Sequence, residues 1–377
     1  LVFLAFFLVV TKKNIIFALF WTMYTDTAKT HKHTLQSCKI NKNINQQKNK
    51  TLIIKQDSTM KPYVIGIDIG GTNTVFGIVD ARGVVIASSS IKTAKHPKFE
   101  DYIDELYQEI TRLIVANDAV DKVHGIGIGA PNANYYNGMI EVAVNLPWPT
   151  PIKLAETVRE KFGIPVAITN DANAAAIGEM TYGAARGLKD FIMITLGTGV
   201  GSGIVINGQL VYGHDGLAGE LGHLIVKRNN GRLCGCGRTG CLEAYCSATG
   251  VARTAREFLE ARNEPSLLRN LDIDTITSKD VYDAAVQGDK LAKDVFEYTG
   301  DILGAALADM TVFSSPQAFI LFGGLAKSGE LLLKPMRESM DRNMLSSFKG
   351  KPKILLSELK EADAAVLGAS ALGWEAK

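Results

Sequence analysis

The first 59 residues contain no Gly, no Pro, no Arg and no Glu, although the whole 377-residue chain holds 36 Gly and 11 Pro. An average stretch of that length would hold about four Gly and three Pro. Nine Lys against two Asp give the segment a net +7 and leave the other 318 residues at −5, so the overall +2 describes neither part. Its apolar opening, Leu1 to Val10, stops at Thr11-Lys12-Lys13, well short of the roughly 20 residues a membrane span needs. Basic residues follow that run instead of preceding it, and no small-residue cleavage site appears, which argues against a signal peptide. Without Arg or a helix-turn-helix pattern it also makes a poor DNA-binding arm. We read residues 1–59 as a non-native or disordered leader, translated upstream sequence before a start at Met60.

The remaining body lacks other things too. Five Cys in 377 residues exclude a disulfide-dense scaffold. Its mild negative charge suggests neither a nucleic-acid nor an anionic-membrane partner. No G-x-x-x-x-G-K-[ST] occurs, so a P-loop is excluded, and Gly197-Thr-Gly199-Val-Gly201-Ser-Gly203 does not fit the dinucleotide pattern G-x-G-x-x-G.

What is present is a repeated layout. Val64 to Ile69 is an apolar strand leading into Gly70-Gly71-Thr72, a second strand at 75–79, a turn at Gly83 and a third strand at 84–91. About 127 residues on, Phe191 to Leu196 leads into Gly197-Thr198-Gly199, a strand at 203–206, a turn at Gly208 and Leu210-Val211. Two such units predict a duplicated α/β domain. Further strands are predicted at 124–130, 166–169 and 318–322. Phe99, Ile103, Leu106, Ile110, Leu113 and Ile114 share one helical face. More helices are predicted at 172–185, 249–263, 291–313, 330–347 and 363–375, giving a mixed α/β architecture.

Both glycine turns let the backbone approach phosphate oxygens and offer N–H donors, though a single such turn is equally an ordinary hairpin. Asp68 sits inside an apolar strand just before the first turn, where an unpaired carboxylate would cost several kcal/mol. A nearby Mg²⁺–phosphate complex would offset that cost. Cys234-x-Cys236-x4-Cys241, with His223 eleven residues upstream, supplies a tetrahedral Cys₃His zinc set. Four protein ligands leave no open position, so the zinc is expected to be structural. A disulfide is the alternative, but Cys234 and Cys236 are too close in sequence to pair well. Cys38 and Cys246 fall outside the set. Asn170-Asp171, between a strand and an Ala-rich helix, reads either as a helix N-cap or as a catalytic carboxylate facing a cleft.

Asp68-Ile-Gly-Gly-Thr72, Asn170-Asp171, Leu196-Gly-Thr-Gly-Val-Gly201, Glu220-Leu-Gly-His223 and Cys234-Gly-Cys-Gly-Arg-Thr-Gly-Cys-Leu-Glu243 together resemble the ROK family. Its members are bacterial sugar kinases and related repressors on the actin-like, ribonuclease-H-like ATPase fold, and the resemblance spans essentially all of 60–377. It implies an N-terminal lobe at 60–169 with the helix 363–377 packing back on it. A C-terminal lobe at 170–362 carries the zinc motif 223–241. It implies Asp171 as the general base and Glu220, His223 and Glu243 on sugar hydroxyls, with Asn145 and Asn170 beside the sugar. ATP and Mg²⁺ would lie against Asp68, Gly70, Gly71, Thr72, Gly197, Thr198, Gly199 and Gly201. Gly323 and Gly324, in Leu321-Phe-Gly-Gly-Leu325, would border the adenosine.

One stretch departs from the family pattern: Asn132, in Gly129-Ala-Pro-Asn132, stands where the common motif has Gly, in the loop leading to Asn145-Leu-Pro-Trp148. With no Arg or evident amide pocket there, glucose is the first choice of sugar. N-acetylglucosamine, N-acetylmannosamine and mannose remain open. The reading is therefore a cytoplasmic ATP-dependent hexose 6-kinase, glucokinase-like. The alternatives are an N-acetylhexosamine kinase or a sugar-sensing repressor of the same family. The family usually forms dimers or tetramers, so a homo-oligomer is expected.

Overall fold

The computed structural model describes residues 61–142, 146–359 and 361–376. Strand β1 (Tyr63–Ile69) forms a hairpin with β2 (Thr74–Asp80), and β3 (Val85–Ile91) continues it antiparallel. Helix α1 (Phe99–Ala116) then leads to β4 (Val123–Gly129), and α2 (Leu154–Phe162) to β5 (Val166–Thr169). β4 pairs parallel with β1, and β5 with β4, giving the order β3-β2-β1-β4-β5. β1 is apolar at nearly every position because both of its faces are covered, as parallel sheet interiors require.

The second half repeats this wiring. After α3 (Asp171–Tyr182) come β6 (Phe191–Leu196), β7 (Val200–Ile206) and the short β8 (Gln209–Leu210), all antiparallel neighbours. A helical layer follows: α4 (Glu243–Cys246), α5 (Ala248–Ala261), α6 (Ser278–Val286) and the 25-residue α7 (Lys290–Ser314). Then β9 (Ala318–Phe322) joins β6 in parallel, α8 (Glu330–Asn343) crosses over, and β10 (Lys353–Leu356) joins β9. Read from its other edge the order is β8-β7-β6-β9-β10, strand for strand the order of the first sheet. The duplication read from the glycine turns is therefore a property of the fold.

Each sheet has its own core. In the first, Tyr102, Ile103, Leu106 and Ile110 of α1 are buried, as the helical spacing of its apolar residues predicts. Trp148 packs there too, its ring 4.5 Å from that of Tyr102, and its Nε1 donates to the carbonyl of His96 at 2.9 Å. In the second, α7 carries the largest buried face and α8 lies along it. The last helix, α9 (Glu361–Gly373), lies against β1, β4 and α3. Among the described residues, no helix is long and apolar enough to cross a membrane.

Four elements are absent from the sequence reading: α2, the four-residue α4, α6 and β10. β10 has four half-exposed residues, too few to show a period. Helices α2 and α6 have nine residues each. For α6 a signal existed, since Thr277 and Asp280 form a reciprocal capping box.

Candidate active site

The C-terminal ends of β1 and β5 bring two carboxylates together. Asp68 is the penultimate residue of β1, and Asp171 opens α3 directly after β5 and Asn170. Asn170 is the N-cap, its Oδ1 accepting the amide of Ala172 at 2.8 Å, and Asp171 Oδ1 accepts the same amide at 2.8 Å. Capping thus falls to Asn170, and Asp171 keeps an oxygen for the cleft. Both acids line one concavity with Ala172, Thr195, Phe322 and Leu359. Asp171 is crowded by protein on most sides yet still reached by solvent, and burial raises its pKa against the pull of neighbouring amides. Asp68 is pushed up to about 7, first by burial and then by the charge of Asp171.

The two glycine turns directly follow β1 and β6, whose Asp68 and Thr195 line this cleft. In the first, Gly70 N donates to Asn73 O at 2.9 Å across Gly71 and Thr72. In the second, Gly197 N donates to Gly199 O at 3.1 Å, while Gly197 O and Thr198 O accept from Ala248 N and Thr249 Oγ1 at the start of α5. Gly201 lies within β7 and its amide is taken by Thr195 Oγ1 at 3.0 Å, so it shapes the hairpin and does not offer a free donor. A third turn follows β9. Gly323 has φ +102 and precedes the 3₁₀ turn Gly324–Ser328, and it lines a second hollow with Phe322, Ser357 and Leu359. Phe322 and Leu359 border both hollows, so the two adjoin. The Ser357–Leu359 segment follows β10, the strand missing from the sequence reading; symmetry with β5 was the signal that could have found it.

The cysteine cluster gathers the 3₁₀ turn Leu221–His223 and the loop that carries Cys234, Cys236 and Cys241. Cys236 Sγ and Cys241 Sγ stand 3.7 Å apart, Cys234 Sγ is 3.8 Å from His223 Nδ1, and all four donor atoms lie within 4.8 Å of one another. Sulfurs at about 2.3 Å from a tetrahedral centre stand about 3.8 Å apart, so the donor set fits zinc. Nδ1 is the ring nitrogen on the cysteine side, which leaves Nε2 for another partner. Glu243 ties the cluster to the second hairpin: one oxygen accepts Val200 N at 3.0 Å and the other lies 3.4 Å from Cys234 Sγ. Glu220 precedes the 3₁₀ turn that carries His223. Burial raises its pKa; His223 opposes this, and the charges of Asp171 and Glu243 add to it. Glu220, His223, Glu243 and Asp171 therefore share one electrostatic neighbourhood.

Asn132 has φ +53, a left-handed conformation that Gly and Asn adopt most readily, and its Nδ2 donates to Val142 O at 2.7 Å. Asn145 lies outside the described residues.

Two sheets of identical wiring, with strand-end carboxylates lining one cleft and a glycine hairpin following the first strand of each, define the actin-like ATPase class of α/β protein. Within that class the chain belongs to the ROK family, whose description matches residues 64–376. It is 36% identical over 330 residues to a glucokinase of Halalkalibacterium halodurans, covering 84% of this chain and 95% of that one. The crystal structure of a ROK family glucokinase from Streptomyces griseus in complex with glucose and AMPPNP superposes with a TM-score of 0.68 at 36% identity, covering 83% of this chain and 99% of that one. A xylose repressor of Bacillus spizizenii is 30% identical over 320 residues, covering 82% of this chain and 76% of the repressor.

Proposed function

We propose that the protein is an ATP-dependent hexose kinase, glucose being its first substrate, and that Asp171 is the general base for transfer to the 6-hydroxyl. The observation that carries this reading is the position of Asp171. Its carboxylate stands at the start of α3, lining one cleft with Asp68, with Glu220 in electrostatic range.

Phosphoryl transfer needs alignment and charge neutralisation more than it needs a strong base. Asp171 orients the sugar hydroxyl and accepts its proton late, as the new P–O bond forms. Glu220, Glu243 and the Nε2 of His223 hold the other hydroxyls, and His223, Cys234, Cys236 and Cys241 would hold a structural zinc that keeps their directions fixed. The hairpin turns at 70–72 and 197–199 lie against the phosphates, and Gly323-Gly324 against the adenosine. Asp68, a partly buried carboxylate with no cationic partner among the described residues, suits a Mg²⁺ ion, which would supply neutralising charge for the phosphates. Closure of the lobes excludes water that would otherwise take the phosphoryl group. We place the enzyme in the cytoplasm and expect a homo-oligomer, a dimer or a tetramer.

A coupled ADP-release assay over glucose, mannose, N-acetylglucosamine and N-acetylmannosamine tests the reading. Glucose should give the highest kcat/KM. Preference for an N-acetylhexosamine would move the enzyme to that kinase class. Sugar binding with no turnover on any substrate would instead favour a sensor such as the repressor relatives.

A further inference from the structure

The loops that leave the two sheets on the sugar side of Asp171 are fastened to each other. The first follows β4. It starts at Gly129, where a Cβ would lie 3.6 Å from Asp68 Oδ1 and 3.7 Å from the Asp171 Cα. The second, 213–219, ends at Glu220. Asn134 of the first loop is buried, with 4% of its surface exposed, and donates from Nδ2 to Asp215 O of the second at 2.6 Å. Its Oδ1 accepts the amide of Tyr136 at 2.9 Å, and the Tyr136 hydroxyl donates to Gly213 O at 2.9 Å. Beside them the rings of Tyr135 and Tyr212 stack 4.1 Å apart and nearly parallel, 10° between planes.

The second loop needs such fastening. Gly213, Gly216 and Gly219 all take positive φ, so its own chain holds it only weakly to one path. Asn134 and Tyr136 supply side-chain hydrogen bonds that reach it from the first sheet's side.

We infer that Asn134 and Tyr136 are positioning residues for the sugar, a latch that fixes Glu220 relative to Asp68 and Asp171 by joining a loop of the first sheet, at whose strand ends both acids stand, to a loop of the second. This rests on the sugar-kinase reading for its function, but the latch itself is a structural claim. Each neutral hydrogen bond of this kind is worth about threefold to tenfold in the population of the fastened arrangement.

The test uses the full chain with Asn134→Asp, Tyr136→Phe and the double variant. Asn134→Asp keeps the acceptor for Tyr136 N and removes the donor to Asp215 O. Tyr136→Phe alters an exposed side chain and leaves the core intact, so it keeps the test alive if Asn134→Asp folds poorly. In hydrogen–deuterium exchange, each single variant should accelerate amides in both 133–140 and 213–219 by about threefold to tenfold. In steady-state kinetics the sugar KM should rise by a similar factor while the ATP KM stays within twofold. Acceleration confined to the mutated loop overturns the latch, as does an equal rise in both KM values. If the unmodified chain phosphorylates no sugar, the function reading fails on its own and the exchange data still decide the latch.

Discussion

Asp68 makes a prediction that can be worked through in numbers. Replacing it by Asn keeps the shape of the side chain and removes a charge that burial and Asp171 both oppose. The folded-state pKa of about 7 lies above the ordinary carboxylate value of 3.8. Below pH 4 both states carry the proton and the group is neutral to stability. As pH rises from 4 to 7 the unfolded chain releases its proton first, so the folded state holds more protons and stability falls. At 1.36 kcal/mol per unit the loss reaches up to about 4 kcal/mol at pH 8 and about 2 kcal/mol at pH 5. Asp68→Asn should therefore stabilise the nucleotide-free protein at pH 8 and gain less at pH 5, the difference being about 2 to 3 kcal/mol. Urea denaturation of both proteins at the two pH values, without Mg²⁺ or ATP, reads this directly. The same variant should lose most of its kinase activity. A variant that is less stable than the parent at pH 8, or a gain independent of pH, would refute the claim that Asp68 is a strained carboxylate awaiting a cation.

Two further outcomes follow from other parts of the site. Metal analysis of chelator-free protein should find about one zinc per chain, and Cys241→Ser should lose it; at zinc a thousandfold above its dissociation constant, removal costs about 4 kcal/mol, or a melting point lower by roughly 6 °C for a domain of this size. A metal-free protein of unchanged melting point would remove zinc from the description. Gly323→Ala should destabilise the protein by about 1–3 kcal/mol and raise the ATP KM. Its φ of +102 disfavours any side chain, and a Cβ would stand 2.5 Å from Leu196 O; a thermal melt matching the parent would contradict that packing.

Much of the site was legible in the sequence because its residues sit at punctuated positions. Asp68 interrupts an apolar strand, and the glycine turns follow strands twice at matched spacing. The Cys/His spacing alone picks out the four side chains whose donor atoms the fold gathers within 4.8 Å. What stayed hidden depends on contacts between distant segments. Nothing local in Asn134 or Tyr136 points to Asp215 and Gly213, some 80 residues away. β10 was too short to announce itself, although the wiring of the first sheet implied a fifth strand in the second. Gly201 shows the opposite error of emphasis. It belongs to the glycine-rich run that marks the turn, yet its amide is already taken by Thr195. Asn132 departs from the family motif in sequence, and the left-handed φ it takes is one that only the folded backbone reveals.

The central claim is that Asp171 acts on the sugar hydroxyl, and Asp171→Asn tests it most directly. Asn170 already caps α3, so the fold should survive the change. Single-turnover transfer from ATP to glucose should slow by about 10²- to 10⁴-fold, with the dissociation constants of glucose and ATP held within a few-fold. Transfer at an undiminished rate would contradict the assignment.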